Sequence, residues 1–168
     1  MTTHTTPAAL ATPTDLTPGQ VTAVTEAVNP LIADALALYI KTENFHWHLS
    51  GRRFRDLHLL FDEQADALLD SVDVLAERVR KLGGLTLRSV GHVAQLTQIK
   101  DDDRAFVSPQ DMVQTLLDDN RRIATAQRRA IDICDDHKDS PTGNILQELL
   151  DGTERRIWFL FEITQADD

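Results

Sequence analysis

Five side chains able to bind a metal ion recur at fixed spacing in the middle of the sequence. The pattern is His-x11-His-x3-Asp-x10-Asp-x3-Glu, and its members are His46, His58, Asp62, Asp73 and Glu77. Imidazole and carboxylate groups together bind Fe(II), Zn(II), Mn(II) or Co(II), and this ligand set alone does not choose among them. A metal held by one His and one or two carboxylates keeps open coordination positions, which redox chemistry with a small oxidant needs.

Four of these residues are expected on one stripe of a single helix. The segment from about 54 to 82 repeats apolar residues with the helical period. With about 100° per residue, positions 58, 62, 73 and 77 fall at roughly 0°, 40°, 60° and 100°. Each pair four apart, taken alone, is typical of a solvated helix face, but the full five-residue spacing favours metal ligands.

One chain cannot bring the two ends of this stripe to a single metal ion. At a rise of about 1.5 Å per residue, His58 and Glu77 are about 28 Å apart along the axis, and Asp62 and Asp73 about 16 Å. A second, antiparallel copy of the helix, related by a two-fold axis near residues 67–68, would set the His58 end of one copy beside the Glu77 end of the other. The spacing therefore predicts two identical metal sites shared between the subunits of a two-fold dimer.

The elements that must position these residues are helices. Residues 1–20 are rich in Thr, Pro and Ala without periodicity, so we expect a flexible tail there and one domain over residues 21–168. Long helices are predicted at about 18–49, 54–82, 109–136 and 140–165, with a short helix near 92–99. Pro30 is expected to bend the first helix or to split off a short first segment. Because the connection between the second and third long helices is long, the order predicts an all-α, ferritin-like four-helix bundle.

The bulk composition narrows the class of protein. A chain of 168 residues with 42% hydrophobic residues fits one domain with a core. No apolar run approaches the roughly 20 residues needed to span a bilayer. The N-terminus lacks the basic and apolar regions of a secretory signal. We therefore expect a cytoplasmic protein with no membrane partner. Cys134, the single cysteine, is expected to be a buried, inert thiol.

The sequence after residue 20 resembles the Dps family, the miniferritins first described as DNA-binding proteins of starved cells. Residues 46–58, HWHLSGRRFRDLH, resemble the family signature His-Trp-Asn-x-x-Gly-x-x-Phe-x-x-Leu-His. Asp62 and the segment 73–78, DVLAER, resemble the rest of it. The resemblance implies that His46, His58 and Asp62 of one subunit bind iron together with Asp73 and Glu77 of its two-fold mate.

The resemblance also implies an activity and an assembly. The family forms a homododecamer built from two-fold dimers, acts as a ferroxidase that oxidises Fe(II) with hydrogen peroxide in preference to dioxygen, stores the Fe(III) mineral inside and so protects DNA. Zn²⁺ or Mn²⁺ would compete for the same ligands. By resemblance, Trp47 has the catalytic role of trapping stray oxidising equivalents, and simple interface packing is its alternative.

Several residues depart from the family pattern. His48 replaces the usual Asn, and two residues beyond His46 it faces elsewhere on the helix, so we expect it to be exposed or outside the ligand set. Asn144 stands where an aspartate of an iron-entry pore is common, with Asp135, Asp136 and Asp139 nearby. His4, in the tail, is a candidate for a second metal site.

Charge argues against DNA binding by the tail. The formal net charge is −10, and no Lys or Arg precedes Lys41, whereas tails that coat DNA neutralise its phosphates with basic residues. Bridging by divalent cations, or contact through Arg52, Arg53 and Arg55, stays open. Two other functions therefore stay in view: a nucleoid-compacting structural protein with a secondary metal site, and a non-catalytic cage for Zn or Mn.

Overall fold

The computed structural model describes residues 6–165, and these form five α-helices and no strand. The helices are α1 (Pro18–His48), α2 (Phe54–Lys81), α3 (Val90–Leu96), α4 (Pro109–Asp136) and α5 (Ser140–Thr164). A single 3-10 turn over Ala8–Leu10 precedes them. The prediction of four long helices with a short helix in the long second connection is confirmed.

Local sequence signals set where the long helices begin. The Thr17 side chain accepts a hydrogen bond from the Gln20 amide at 3.4 Å, and the Gln20 side chain accepts one from the Thr17 amide at 2.9 Å. This reciprocal capping box satisfies two amides that the first turn leaves free. Ser108 caps α4 by accepting from the Asp111 amide at 3.1 Å. A proline then occupies the first turn in both helices, where its missing N–H is no loss.

Pro30 lies inside α1 without dividing it. The helix runs unbroken from Pro18 to His48, so the alternative that a short first segment splits off is wrong. A proline in a helix interior removes one hydrogen bond and costs about 3 kcal/mol or more. Val28, Leu31 and Ile32 around it are all buried in the core, and this packing holds both halves of the helix in place.

The four long helices form two hairpins that pack together. The connections over residues 49–53 and 137–139 are short, so α1 runs antiparallel to α2, and α4 antiparallel to α5. The crossover from α2 to α4 passes α3, which packs against α1. Two clusters of apolar side chains fill the bundle, one around Phe45 and Phe61 and the other around Val28 and Leu146.

The crossover is fastened to α1 by a buried carboxylate. Asp34 is only 4% exposed, and it accepts hydrogen bonds from Thr97 Oγ1 at 2.8 Å and from the Gln98 amide at 2.6 Å. Burial raises the pKa of Asp34, and these hydrogen bonds oppose that shift. The crossover therefore has a fixed point of attachment near the middle of the bundle.

By length and composition alone, α1 could cross a membrane. Core helices of globular bundles meet the same criterion. In this fold α1 packs against α2, α3 and α4. Val24, Val28 and Leu38 have no exposed surface, whereas Ile40 and Trp47 are exposed. The core therefore accounts for a large part of the apolar character of α1.

Candidate metal centre

Two histidines from different helices face each other where α1 ends and α2 begins. The rings of His46 and His58 stack with centroids 3.7 Å apart and planes inclined by 13°. His46 Nδ1 lies 2.8 Å from the carbonyl oxygen of His58, and His58 Nδ1 lies 3.1 Å from the carbonyl oxygen of His46. Each ring is therefore fixed by the backbone of the other helix.

This exchange determines which ring nitrogen can bind a metal ion. A carbonyl oxygen only accepts hydrogen bonds, so Nδ1 of each ring must carry the proton and donate it. In the neutral ring Nε2 then presents a lone pair. A histidine ligand commonly donates its other N–H to a carbonyl, which fixes the tautomer and the ring orientation. Both histidines are therefore held in the form that a metal ion requires.

Asp62 adds a carboxylate to the same end of α2. Its Oδ1 lies 3.9 Å from His46 Nε2, and about half of its side chain is exposed. Two ligands that each lie about 2.1 Å from one divalent cation can be up to about 4 Å apart. His46 and Asp62 thus have a separation that suits two ligands of one metal ion.

Asp73 and Glu77 lie at the far end of α2. Both are exposed, and Glu77 Oε2 lies 3.1 Å from Lys81 Nζ, an exposed pair that contributes little to stability. Within residues 6–165 of one chain, no three His, Cys, Asp or Glu side chains are arranged to hold a metal ion. The structure therefore brings His46 close to both His58 and Asp62 without forming a three-ligand group, and it leaves Asp73 and Glu77 apart from them.

The turn between α1 and α2 sets the distance between the two histidines. Gly51 has a φ of +106°, a conformation that side-chain-bearing residues rarely adopt. The Phe54 amide then donates to the Gly51 carbonyl at 3.1 Å, and α2 begins. Because His58 lies one turn further along α2, the geometry of this turn determines where its ring meets His46.

Phe54 is a member of this site that the ligand spacing alone did not reveal. Its ring stacks on His58 with centroids 4.9 Å apart and planes inclined by 19°, on a ring that also stacks against His46. Phe54 precedes His58 by four residues on α2, and this spacing was the signal that could have indicated the contact. Its ring therefore limits the rotation of His58.

Removing the Phe54 ring is expected to weaken metal binding about tenfold, the lower end of the range for residues that orient ligands. Phe54→Ala leaves His58 free to turn, whereas Phe54→Tyr keeps an aromatic ring and should retain the affinity. Titration with Co(II), followed by its visible absorption, measures this without oxidation. Equal affinities of the Ala variant and the wild type would show that the backbone hydrogen bonds alone hold His58.

The N-terminal segment lies beside the far end of α2. Thr12 Oγ1 donates to the Arg80 carbonyl at 2.9 Å, and Arg80 Nη2 donates to the Leu10 carbonyl at 2.7 Å. Thr12, Asp73 and Glu77 line the same shallow depression. Part of the segment that was predicted to be a tail therefore lies beside Asp73 and Glu77. His4, the candidate for a second metal site, lies outside the described residues.

The other aromatic and imidazole groups near the site point to solvent. Trp47 is 65% exposed and makes no hydrogen bond within the described chain. His48 is exposed, and its Nδ1 lies 2.8 Å from the Asn44 carbonyl. His48 is therefore separate from the His46–His58 pair, while the surroundings of Trp47 favour neither of its two predicted roles.

The acidic residues near the start of α5 divide into two groups. Asp139 is 2% exposed, caps α5 through the Thr142 amide at 3.3 Å and pairs with Arg78 at 2.6 Å. This carboxylate therefore stabilises the α4–α5 connection and does not present itself to a pore. Asp135, Asp136 and Asn144 are exposed.

Cys134, close to this connection, is fully buried. Burial, and secondarily the nearby carboxylates of Asp139 and Asp135, raise the pKa of its thiol to about 12. The expectation of a buried thiol is confirmed. Because the thiolate is the reactive form, the raised pKa agrees with the expectation that this thiol is inert.

Comparison with known proteins places this bundle in a family. The ferritin-like domain model matches residues 25–167. The DNA protection during starvation protein of Agrobacterium fabrum is 30% identical over 149 residues, which are 89% of this chain and 92% of that protein. This chain belongs to the Dps family of ferritin-like proteins.

Solved structures agree with this assignment. DpsC from Streptomyces coelicolor superposes with a TM-score of 0.90 at 28% identity, covering 94% of this chain and 92% of that one. The Dps protein of Vibrio cholerae O1 superposes with a TM-score of 0.86 at 25% identity, covering 92% and 98%. That protein is described as a member of a broad superfamily of ferritin-like diiron-carboxylate proteins. The fold and the family predicted from the sequence are thus confirmed.

Proposed function

We propose that this Dps protein is a ferroxidase that oxidises Fe(II) with hydrogen peroxide and stores the product as Fe(III) mineral. The observation that carries the proposal is the His46–His58 pair, whose Nε2 atoms are free to bind a metal ion beside Asp62. Asp73 and Glu77, at the other end of α2, belong to the site of the neighbouring subunit. Each two-fold interface then has two sites of mixed imidazole and carboxylate ligands.

The five residues have distinct tasks in this proposal. His46 and His58 bind Fe(II) through Nε2, while Asp62 and the two carboxylates of the mate supply hard oxygen ligands and offset the charge of the bound cations. Two Fe(II) ions each give one electron to one peroxide. The O–O bond of the peroxide breaks, and with two protons it leaves as two molecules of water. Because the electrons leave in a pair, no hydroxyl radical is released.

The assembly and location in this proposal follow the family. We infer a homododecamer of two-fold dimers in the cytoplasm, with Fe(II) as substrate, peroxide or dioxygen as oxidant, and Zn²⁺ or Mn²⁺ as competitors for the ligands. Trp47 follows His46 in the sequence and is exposed, and in this proposal it intercepts stray oxidising equivalents, a role that rests on resemblance to the family. Membership of the Dps family supports the cage, whereas the helix geometry supports only the two-fold dimer within it.

The stoichiometry of oxidation tests the proposed reaction. Adding peroxide in small steps to the protein loaded anaerobically with Fe(II) is expected to oxidise about two irons per peroxide, since each iron supplies one electron. The endpoint can be read from the absorption of Fe(III). One iron oxidised per peroxide, with hydroxyl radical trapped by a spin probe, would contradict the proposal.

The second candidate function is compaction of DNA with a secondary metal site. Two observations support it. Relatives are named as DNA protection proteins, and an exposed basic group at the start of α2 and in the turn before it consists of Arg52, Arg53 and Arg55. Against it, twelve chains carry a formal charge on the order of −120.

We expect the protein not to retard linear DNA in a gel at low salt without Mg²⁺. Low salt is the condition in which any attraction of basic residues to the phosphates would be strongest. Clear retardation that Arg52→Ala together with Arg55→Ala abolishes would favour this second function.

A further inference from the structure

Arg156 differs from two other basic groups in the bundle interior. Lys41 Nζ lies 2.5 Å from Asp119, and Arg78 lies 2.6 Å from Asp139, so each of these charges meets a carboxylate. Arg156 instead donates from Nε to Asn120 Oδ1 at 2.8 Å and from Nη2 to Thr153 Oγ1 at 2.9 Å. Both partners are neutral, and among the described residues no carboxylate forms an ion pair with Arg156.

The absence of a counter-charge has an electrostatic consequence. Burial lowers the pKa of Arg156 to about 10, and no neighbouring charge acts in the opposite direction. Burying a charge without a partner is costly, and in proteins such groups are usually paired. Arg156 is only partly buried, so solvent meets part of this cost, and an anion bound beside the guanidinium would offset the rest.

A cavity of about 140 Å³ lies next to Arg156, and its lining includes exposed residues of α2 and α5 such as Ala67 and Glu148. All four long helices contribute to its wall, which includes Leu31, Leu68, Ile123, Gln127, Thr153 and Arg156. A water molecule occupies about 30 Å³ in the liquid, so this space holds a molecule of a few heavy atoms. Glu148 also lines the cavity, but its side chain is exposed and has no resolved influence on Arg156.

Gln127 supplies a second unsatisfied group in the same wall. The residue is 6% exposed, and its Oε1 is buried without a hydrogen-bond partner. A buried acceptor normally receives a hydrogen bond, because leaving it unpaired forfeits the hydration it had in water. The cavity thus combines a cation that lacks an anion with an acceptor that lacks a donor.

We propose that this cavity binds a small oxyanion that carries a proton, of the hydrogen carbonate class. The guanidinium has N–H groups left beyond those given to Asn120 and Thr153, and its planar fork suits the oxygens of a planar oxyanion. The hydroxyl group of the same anion donates to Gln127 Oε1. Water alone would satisfy the hydrogen bonds but would not neutralise the charge, and nitrate would neutralise the charge but has no proton for Gln127. The site is independent of the proposed iron site.

Comparison of hydrogen carbonate with nitrate tests this assignment, since the two anions share shape, size and charge and differ in the proton. At a mildly alkaline pH and fixed ionic strength, hydrogen carbonate at ten times its Kd should raise Tm by about 3 to 5 °C. Nitrate should raise it by clearly less. Line broadening of ¹³C-labelled hydrogen carbonate in the presence of the protein gives a direct measure of binding.

Two variants separate the parts of the site. Arg156→Gln removes the charge and should abolish both the Tm shift and the line broadening. Gln127→Met keeps the length of the side chain without its oxygen. It should therefore remove the preference for hydrogen carbonate over nitrate. If Arg156→Gln does not fold, the Gln127→Met variant by itself still tests the proposal. Equal shifts by the two anions in the wild type, a preference that survives Gln127→Met, or a crystal structure grown in hydrogen carbonate with only water in the cavity would each overturn the proposal.

Discussion

Replacing His58 and Asp62 together by Ala is expected to lower the initial rate of Fe(II) oxidation by at least about 100-fold, the upper end of the range for residues that merely support ligands. The double variant removes one imidazole and one carboxylate from each proposed site and also deprives His46 of its stacking partner. The rate is measured by the absorption of Fe(III) after anaerobic Fe(II) loading and addition of peroxide.

A matched pair of substitutions controls for the loss of charge and volume. His48→Ala together with Asp132→Ala also removes one imidazole and one carboxylate, but both residues are exposed, His48 is separate from the His46–His58 pair, and Asp132 lies on α4. This variant should oxidise Fe(II) at close to the wild-type initial rate. If the His58 and Asp62 variant kept its rate while the control lost it, the ligands would lie elsewhere on the surface.

The helices could be predicted from sequence because their signals are local. Thr17-Pro18 and Ser108-Pro109 mark the starts of α1 and α4 through hydrogen bonds made within a few residues, and the structure places both caps where the sequence indicated. The continuity of α1 through Pro30 was not predictable in this way. It depends on the packing of distant residues against that stretch, which overrides the local preference.

The candidate site shows the same division between local and distant information. The spacing of His58, Asp62, Asp73 and Glu77 follows from one helix, so its two-ended geometry could be calculated in advance. The exchange of hydrogen bonds between His46 and His58 could not, because it depends on a turn in which Gly51 adopts a positive φ. The unpaired charge of Arg156 could not be predicted either, since a sequence does not show which partner a partly buried side chain lacks.

Mixing two inactive variants is expected to restore about a quarter of the proposed sites, because a two-fold interface assembles each site from both subunits. One variant carries His58→Ala and Asp62→Ala, and the other carries Asp73→Ala and Glu77→Ala. In a mixed dimer, the subunit with Asp73→Ala and Glu77→Ala keeps His58 and Asp62, and the other subunit keeps Asp73 and Glu77. These intact residues meet at one of the two sites, which is complete. At the other site all four of these ligands are replaced. Random pairing makes about half of all dimers mixed, and the measurement is the oxidation rate after co-expression of both chains.

The same experiment decides whether α2 is shared between subunits. Each variant expressed alone should be inactive yet form particles of the same mass as the wild type, which shows that assembly is intact. A site contained within one chain would stay inactive in every mixture, because neither subunit has a full ligand set. The separation of about 16 Å between Asp62 and Asp73 along α2 rules out a single metal ion bridging them within one helix, so recovery of activity requires a contribution from the mate. If the mixture oxidises Fe(II) while each variant alone does not, each active site must be assembled from two subunits.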